Sequence, residues 1–275
     1  MVIENLLVYA EILWPAWIAG LLVLATHVPM GREVLQRGII FLDLAIAQIA
    51  AFGVVAANTI SFSAYDAYAH SHAHAHHGHP ADAQTHVPQT LIALTAAIIG
   101  SLCLYRLRNL EVRIQEAIIG ILFILAATGS LLLLSTDPHG GEKLKEILVG
   151  QLLWLQPADL LMLFLAYVVV LLLWWLLRQP LGEWMFYPLF AITITLSTQV
   201  VGVYLVFASL IVPALATLNQ SSSLAKAFSL GALGYLTGLI LSAWFDLPAG
   251  ATIVWCLVLI ALSYQAIVKS CQWLN

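Results

Sequence analysis

Charge is scarce in this sequence. Of 275 residues, 10 are Lys or Arg and 14 are Asp or Glu, so charged side chains make up 9%, against about 25% in a soluble domain. Hydrophobic residues reach 62% and mean hydropathy is +0.96. Too few polar side chains exist to cover a surface in water, whereas a bilayer requires apolar ones, so the chain reads as a polytopic membrane protein. Net charge is −4 and no basic cluster exists, which argues against a nucleic-acid partner. Cys103, Cys256 and Cys271 lie far apart in or beside apolar segments, so they make neither a disulfide framework nor a CxxC metal pair. Glu4 and Glu11 stand where a signal peptide carries basic residues, and the first span is expected to be retained. Enzyme motifs are missing too: there is no G-x-x-x-x-G-K, no H-E-x-x-H, no G-x-S-x-G, and no intramembrane carboxylate pair at i, i+3 or i+4. The chain is read as no enzyme, and energy for active transport must come from a partner or an ion gradient.

What is present is a series of charge-free gaps. They cover 12–31, 44–65, 83–105, 117–136, 160–177, 184–225, 227–245 and 247–268. Seven have the length of one helical crossing, since a charge at the bilayer centre is costly. The sixth, of 42 residues, would make a helix of about 63 Å, roughly twice the hydrocarbon core. It must turn. Ser197, Thr198, Gln199 and Gly202 mark the expected break, and Pro213 a second irregularity. With two passes there, Arg32, Arg37, Arg106, Arg108, Arg113, Arg178, Lys226 and Lys269 fall on the cytoplasmic side and only Lys143 and Lys145 outside. The expected architecture is an all-α polytopic membrane protein of about eight or nine transmembrane helices. Segment 184–225 is broken into two passes or a re-entrant pair. The whole of 1–275 forms one transmembrane domain, with extracytoplasmic loops at 61–88, 137–157 and 246–250.

Seven of the nine histidines fall in the first of these loops: His70, His72, His74, His76, His77, His79 and His86. Neutral imidazole suits zinc, nickel and copper, and short His-rich tracts read as metal-binding. Spacing by two puts His70, His72, His74 and His76 on one side of an extended chain, where several can converge on one ion. A solvated insertion without a role and a pH sensor are the other readings of the same composition.

Within the spans, ionisable and polar groups are functional candidates by default. Asp43 stands near the start of the second span with Gln48 deeper, about 140° away on an ideal helix. Asp43 is read either as a pathway group or as an interfacial partner of Arg32 or Arg37. Glu116, opening the fourth span beside Arg113, is a third pathway candidate, or else an ion-pair or helix N-terminal charge. His27 reads as structural.

Four segments resemble one family. VGVYLVFASLIVPALAT (201–217), EAIIGILF (116–123), DLPAGATIV (246–254) and FLDLAIAQIAAFG (41–53) are similar to VGxLLVxALLIxPAAxA, ExxxGxxF, DxPSGATIV and FxGDALSHAxxPG. These are segments of the permease subunits of bacterial zinc and manganese ATP-binding-cassette importers. The likeness runs from about 30 to 268, interrupted by the His loop. It implies a homodimer in the bacterial inner membrane, two cytoplasmic ATP-binding subunits and an extracytoplasmic metal-binding protein. By the same resemblance the cytoplasmic loop before VGVYLV, about Arg178 to Phe186 and with Arg178, Gly182 and Glu183, docks the ATPase. Where the family has Asp and His as intramembrane ligands, Leu44 and Gln48 stand here, and Asp43 replaces the glycine. No intrinsic cofactor is expected. The transported ion is read as zinc, with manganese, iron and nickel as alternatives. A self-sufficient secondary carrier and a membrane metal sensor are the competing functions. The H-x-x-x-D or H-N-x-P helices of the secondary carriers are absent.

Overall fold

A computed structural model describes residues 2–71, 86–135, 137, 139–218 and 223–273. Among them ten α-helices run in order: α1 Val2–Arg37, α2 Leu42–Ser71, α3 His86–Arg106, α4 Val112–Leu134, α5 Gly140–Val149, α6 Pro157–Leu181, α7 Phe186–Val201, α8 Val203–Ala216, α9 Ser223–Phe245 and α10 Ala249–Trp273. No strand occurs among the described residues, as a bilayer requires of a chain that must satisfy each backbone group within its own segment. Among the described residues, six helical stretches are long and apolar enough to cross a membrane, at 13–37, 90–109, 112–134, 157–177, 223–245 and 249–270. A shorter apolar stretch, Leu42–Ala57, belongs to α2, and α7 with α8 makes one bent pair. The reading of eight or nine spans counts α2 and takes the bent pair as one or two.

The long charge-free gap turns at Gly202, where α7 and α8 meet at 120°. Gly202 has φ 80° and ψ 162°, a region open essentially to glycine alone. Pro213 does not break α8, which continues to Ala216. A proline in a buried membrane helix is tolerated when neighbouring groups take up the freed carbonyl environment. Three further expectations shift. The segment read as a loop over 61–88 is helical at both ends, α2 continuing to Ser71 and α3 starting at His86. The 137–157 loop contains α5, whose Glu142, Lys143, Lys145 and Glu146 made it look like solvated coil. The segment from Arg178 to Phe186 is also no open loop: α6 runs to Leu181 and a 3-10 turn covers Gly182–Met185.

Packing between helices follows the small-residue logic of membranes, where backbones must approach closely because lipid supplies no hydrophobic drive. A Cβ at Gly20 would stand 2.2 Å from Tyr235, and one at Gly31 2.1 Å from the Leu210 carbonyl, so α1 lies against α8 and α9. On α2, Ile49 fits over Gly100 of α3 and Phe52 over Gly129 of α4. The bent pair sits centrally. Phe186, Tyr187, Phe190, Ala191 and Ile194 of α7 are buried, whereas α4 and α6 present Ile121, Leu125, Leu132, Met162 and Trp175 outward, as lipid-facing helices do. At the start of α7, the Arg37 guanidinium lies 4.5 Å from the Phe186 ring centre while holding Glu33 at 2.9 Å. Tyr105 of α3 meets Tyr187 edge-on at 5.4 Å. These contacts fasten α1, α3 and α7 at the end of the bundle opposite α5.

Candidate functional site

The site is built on α2, α3, α5 and α7. A cavity of about 280 Å³ opens between them, floored by Ala50, Ala51 and Val54 of α2 and Ala93 of α3. Small side chains leave this space because α2 turns its bulk elsewhere, Phe52 to α4 and Ile49 to α3. The polar lining is Thr90, Glu146, Gln151, Thr195, Thr198 and Gln199. Glu146, Gln151 and Gln199 are exposed at the rim, while Thr195 and Thr198 are 0% and 6% exposed. The Thr195 hydroxyl donates to the Ala191 carbonyl at 2.8 Å and the Thr198 hydroxyl to Ile194 at 2.8 Å. With their protons committed to their own helix, both oxygens can act toward the cavity only as acceptors. Thr90 donates to the Gln199 carboxamide oxygen at 3.4 Å, across the gap between α3 and α7.

Asp43 lies in the first turn of α2 and is 1% exposed. Neither carboxylate oxygen has a hydrogen-bond partner among the described residues. The groups facing it are the amides of Asp43 and Leu44 in its own turn, the positive end of the helix dipole. The expected pairing with Arg32 or Arg37 does not form: Arg37 is turned to Glu33 and Phe186. On an ideal helix Asp43 shares its face with Ala50 and Val54, each within about 20° of it, and Ala47 lies about 40° away. That face carries the cavity floor. The partnerless carboxylate therefore stands on the line that continues the cavity, about 10 Å along the helix axis below Ala50.

Gln48 is buried at 5% exposure and falls between the α4 face and the cavity face rather than on the Asp43 line. Glu116 accepts from the Ile40 amide at 3.3 Å, tying α4 to the α1–α2 turn. It makes no ion pair with Arg113 among the described residues. The three pathway candidates thus do not converge. Nor do any three His, Cys, Asp or Glu side chains gather as a metal site among the described residues. His27 is 0% exposed, its Nδ1 donating to the Val23 carbonyl at 2.9 Å.

His72, His74, His76, His77 and His79 lie outside the described residues. His70 belongs to the last turn of α2 and His86 opens α3, with side chains outside the description. Arg178 is in α6, and Gly182 and Glu183 are in the 3-10 turn that follows; their side chains also lie outside it. The His-rich stretch nevertheless joins the two helices that carry Val54 and Thr90, and Thr90 is one turn beyond His86. Sequence reasoning missed Glu146, Gln151 and Thr195 as site residues. Thr198 and Gln199 were read only as the signature of a break. The available signal was the amphipathic run GGEKLKEILV between two spans, which charge mapping assigned to a loop.

A model of the ABC 3 transport family matches residues 9–191 and 181–267. Among solved structures the chain is similar to PsaBC from Streptococcus pneumoniae in complex with Fab, with a TM-score of 0.68 at 20% identity over 97% of this chain and 95% of that one. At that identity the likeness concerns the fold.

Proposed function

The chain belongs to the ABC 3 transport family, and from that premise we propose that it is the permease subunit of an ATP-driven importer of a divalent transition metal, zinc first. The observation that carries this reading is the cavity with the buried, partnerless Asp43 carboxylate in line beneath it. An intramembrane carboxylate without a partner is costly, and its ordinary explanation is an ion or substrate path. The His-rich stretch supports zinc as the cargo, since imidazole prefers it to manganese. On this reading His70, His72, His74, His76, His77, His79 and His86 gather the ion. Asp43 lies on its path, while Glu116 holds α4 to the turn before α2 and Gln48 stands off the Asp43 line.

The assembly we propose is a homodimer of this subunit in the bacterial inner membrane, with two cytoplasmic ATP-binding subunits and an extracytoplasmic metal-binding protein. The end of α6 with Arg178 and the turn with Gly182 and Glu183 receive the ATPase. The turn leads directly into Phe186 and Tyr187, where Arg37 and Tyr105 bind α1 and α3 to α7. Movement of that turn is thereby passed to the wall carrying Thr195 and Thr198.

The test is uptake of zinc, manganese, iron and nickel by cells co-expressing the chain with its ATPase and binding protein. The expected result is uptake of one metal that vanishes with a catalytically dead ATPase. Uptake indifferent to that ATPase would replace the reading with a secondary carrier. Metal binding without flux would replace it with a sensor.

A further inference from the structure

Among the described residues, Glu146 is the one charged side chain in the cavity lining. Its natural helical neighbour of opposite sign is Lys143, three residues earlier, but the Lys143 ammonium is held by Asp137 at 2.5 Å. No ion pair to Glu146 forms among the described residues. A carboxylate is thus left uncompensated at the mouth of a cavity whose other polar groups are hydroxyls and carboxamides.

The backbone fixes where that carboxylate stands. Glu146 is one turn before Gly150, whose amide donates to the Glu146 carbonyl at 2.7 Å. Thr198 is one turn before Gly202, whose amide donates to the Thr198 carbonyl at 3.0 Å. The two glycines touch: a Cβ on Gly150 would stand 2.4 Å from the Gly202 nitrogen, and one on Gly202 would stand 2.4 Å from the Gly150 nitrogen. This contact sets α5 against the α7–α8 break, with Glu146 facing Thr198 and Gln199 across the opening.

We propose that Glu146, with oxygens of Gln151, Thr198 and Gln199, forms an entry site for a hydrated divalent cation. The proposal rests on the transport reading above. One carboxylate and several neutral oxygens are hard donors that hold a divalent ion through or with its waters, and the cavity has room for several waters. A site without imidazole or thiolate binds weakly enough to release its ion inward, as conduction through successive sites requires. It does not itself choose zinc over manganese.

Binding and transport test it separately. The permease–ATPase complex is purified with its seven loop histidines replaced by asparagine, and Mn²⁺ is titrated while the spin-resonance signal of free Mn²⁺ is followed. Glu146→Gln should weaken binding about tenfold or more, because ligand charge dominates affinity at oxygen sites. Glu146→Asp should restore most of it, and Glu142→Gln, on an exposed part of α5, should leave it unchanged. In uptake by the otherwise native chain, Glu146→Gln should raise the half-saturating metal concentration while keeping the maximal rate. Equal Mn²⁺ affinity of the parent and Glu146→Gln chains overturns the entry site whatever the uptake. So does an equal loss in Glu142→Gln, since the charge of α5 at large would then be what is sensed. An intact affinity difference with uptake indifferent to a dead ATPase overturns the transport reading and leaves the entry site standing.

Discussion

A carboxylate with both oxygens buried and no partner is a local cost, and at Asp43 that cost separates function from stability. Replacing a buried unsatisfied polar group by an apolar one of similar size removes a penalty of about 1–3 kcal/mol. Asp43→Leu should therefore raise the thermal unfolding midpoint of the detergent-solubilised protein while lowering ATPase-dependent metal uptake about tenfold or more, the opposite signs expected of a pathway group. Uptake preserved alongside the gain in stability would remove Asp43 from the path. Glu116 behaves differently. Its Oε1 holds the Ile40 amide, so Glu116→Ala should cost about 1 kcal/mol of stability, the worth of an ordinary hydrogen bond. It should leave the half-saturating metal concentration unchanged. Measuring both quantities on the same preparations distinguishes the two carboxylates.

At the scale of elements, the α7–α8 break and α5 act together through two glycines. Gly150 has φ 77° and ψ 174°, and Gly202 has φ 80° and ψ 162°, so either alanine would meet backbone strain as well as the facing main chain. Gly202→Ala should cost about 2 kcal/mol or more and abolish uptake. Gly120→Ala, in α4 with nothing within 4 Å of the added carbon, should be neutral or stabilise by about 0.5–1 kcal/mol. At the other end of α5, Asp137 accepts from Lys143 and from the His139 amide, and the Lys143 hydrogen bond foremost holds its carboxyl below the ordinary range. A depressed carboxyl stabilises the folded arrangement above its unfolded pKa and loses that contribution only as pH falls through the folded value. Protection of 139–149 from hydrogen exchange, taken relative to the intrinsic rate at each pH, should thus stay flat from pH 8 to pH 5, about one unit above the ordinary Asp pKa, and fall only in stronger acid. A fall already near neutral pH would show that the tether is not what holds α5. The break was legible beforehand because Ser197, Thr198, Gln199 and Gly202 interrupt an apolar run too long for one crossing. Helix α5 was not, because ten residues with four charges look like solvated loop until the glycine contacts pin them to the bundle.

At the scale of the molecule, the spans could be read from charge gaps because lipid imposes the same demand on every crossing. The cavity could not. Its walls are mostly alanines, threonines and glutamines, with Glu146 beside them, from α2, α3, α7 and the region of α5, none distinctive alone, brought together only when α2 points Phe52 and Ile49 away and α7 turns back at Gly202. Asp43 was visible as a charge near a span end, but its alignment with Ala50 and Val54 has meaning only once those residues floor a cavity. The same assembly decides what the His-rich stretch can contribute. It connects α2 and α3, both of which wall the opening, so on the proposed reading an ion held by its imidazoles is kept at high local concentration beside the mouth. Replacing all seven loop histidines by asparagine should therefore raise the half-saturating zinc concentration for uptake about tenfold or more while leaving the rate at saturating zinc within about twofold, since a tether supplies concentration and not passage. A collapse of the saturating rate would instead place the imidazoles on the path itself. An unchanged profile at limiting zinc would reduce the stretch to a solvated insertion and leave Glu146 and Asp43 as the groups that meet the ion.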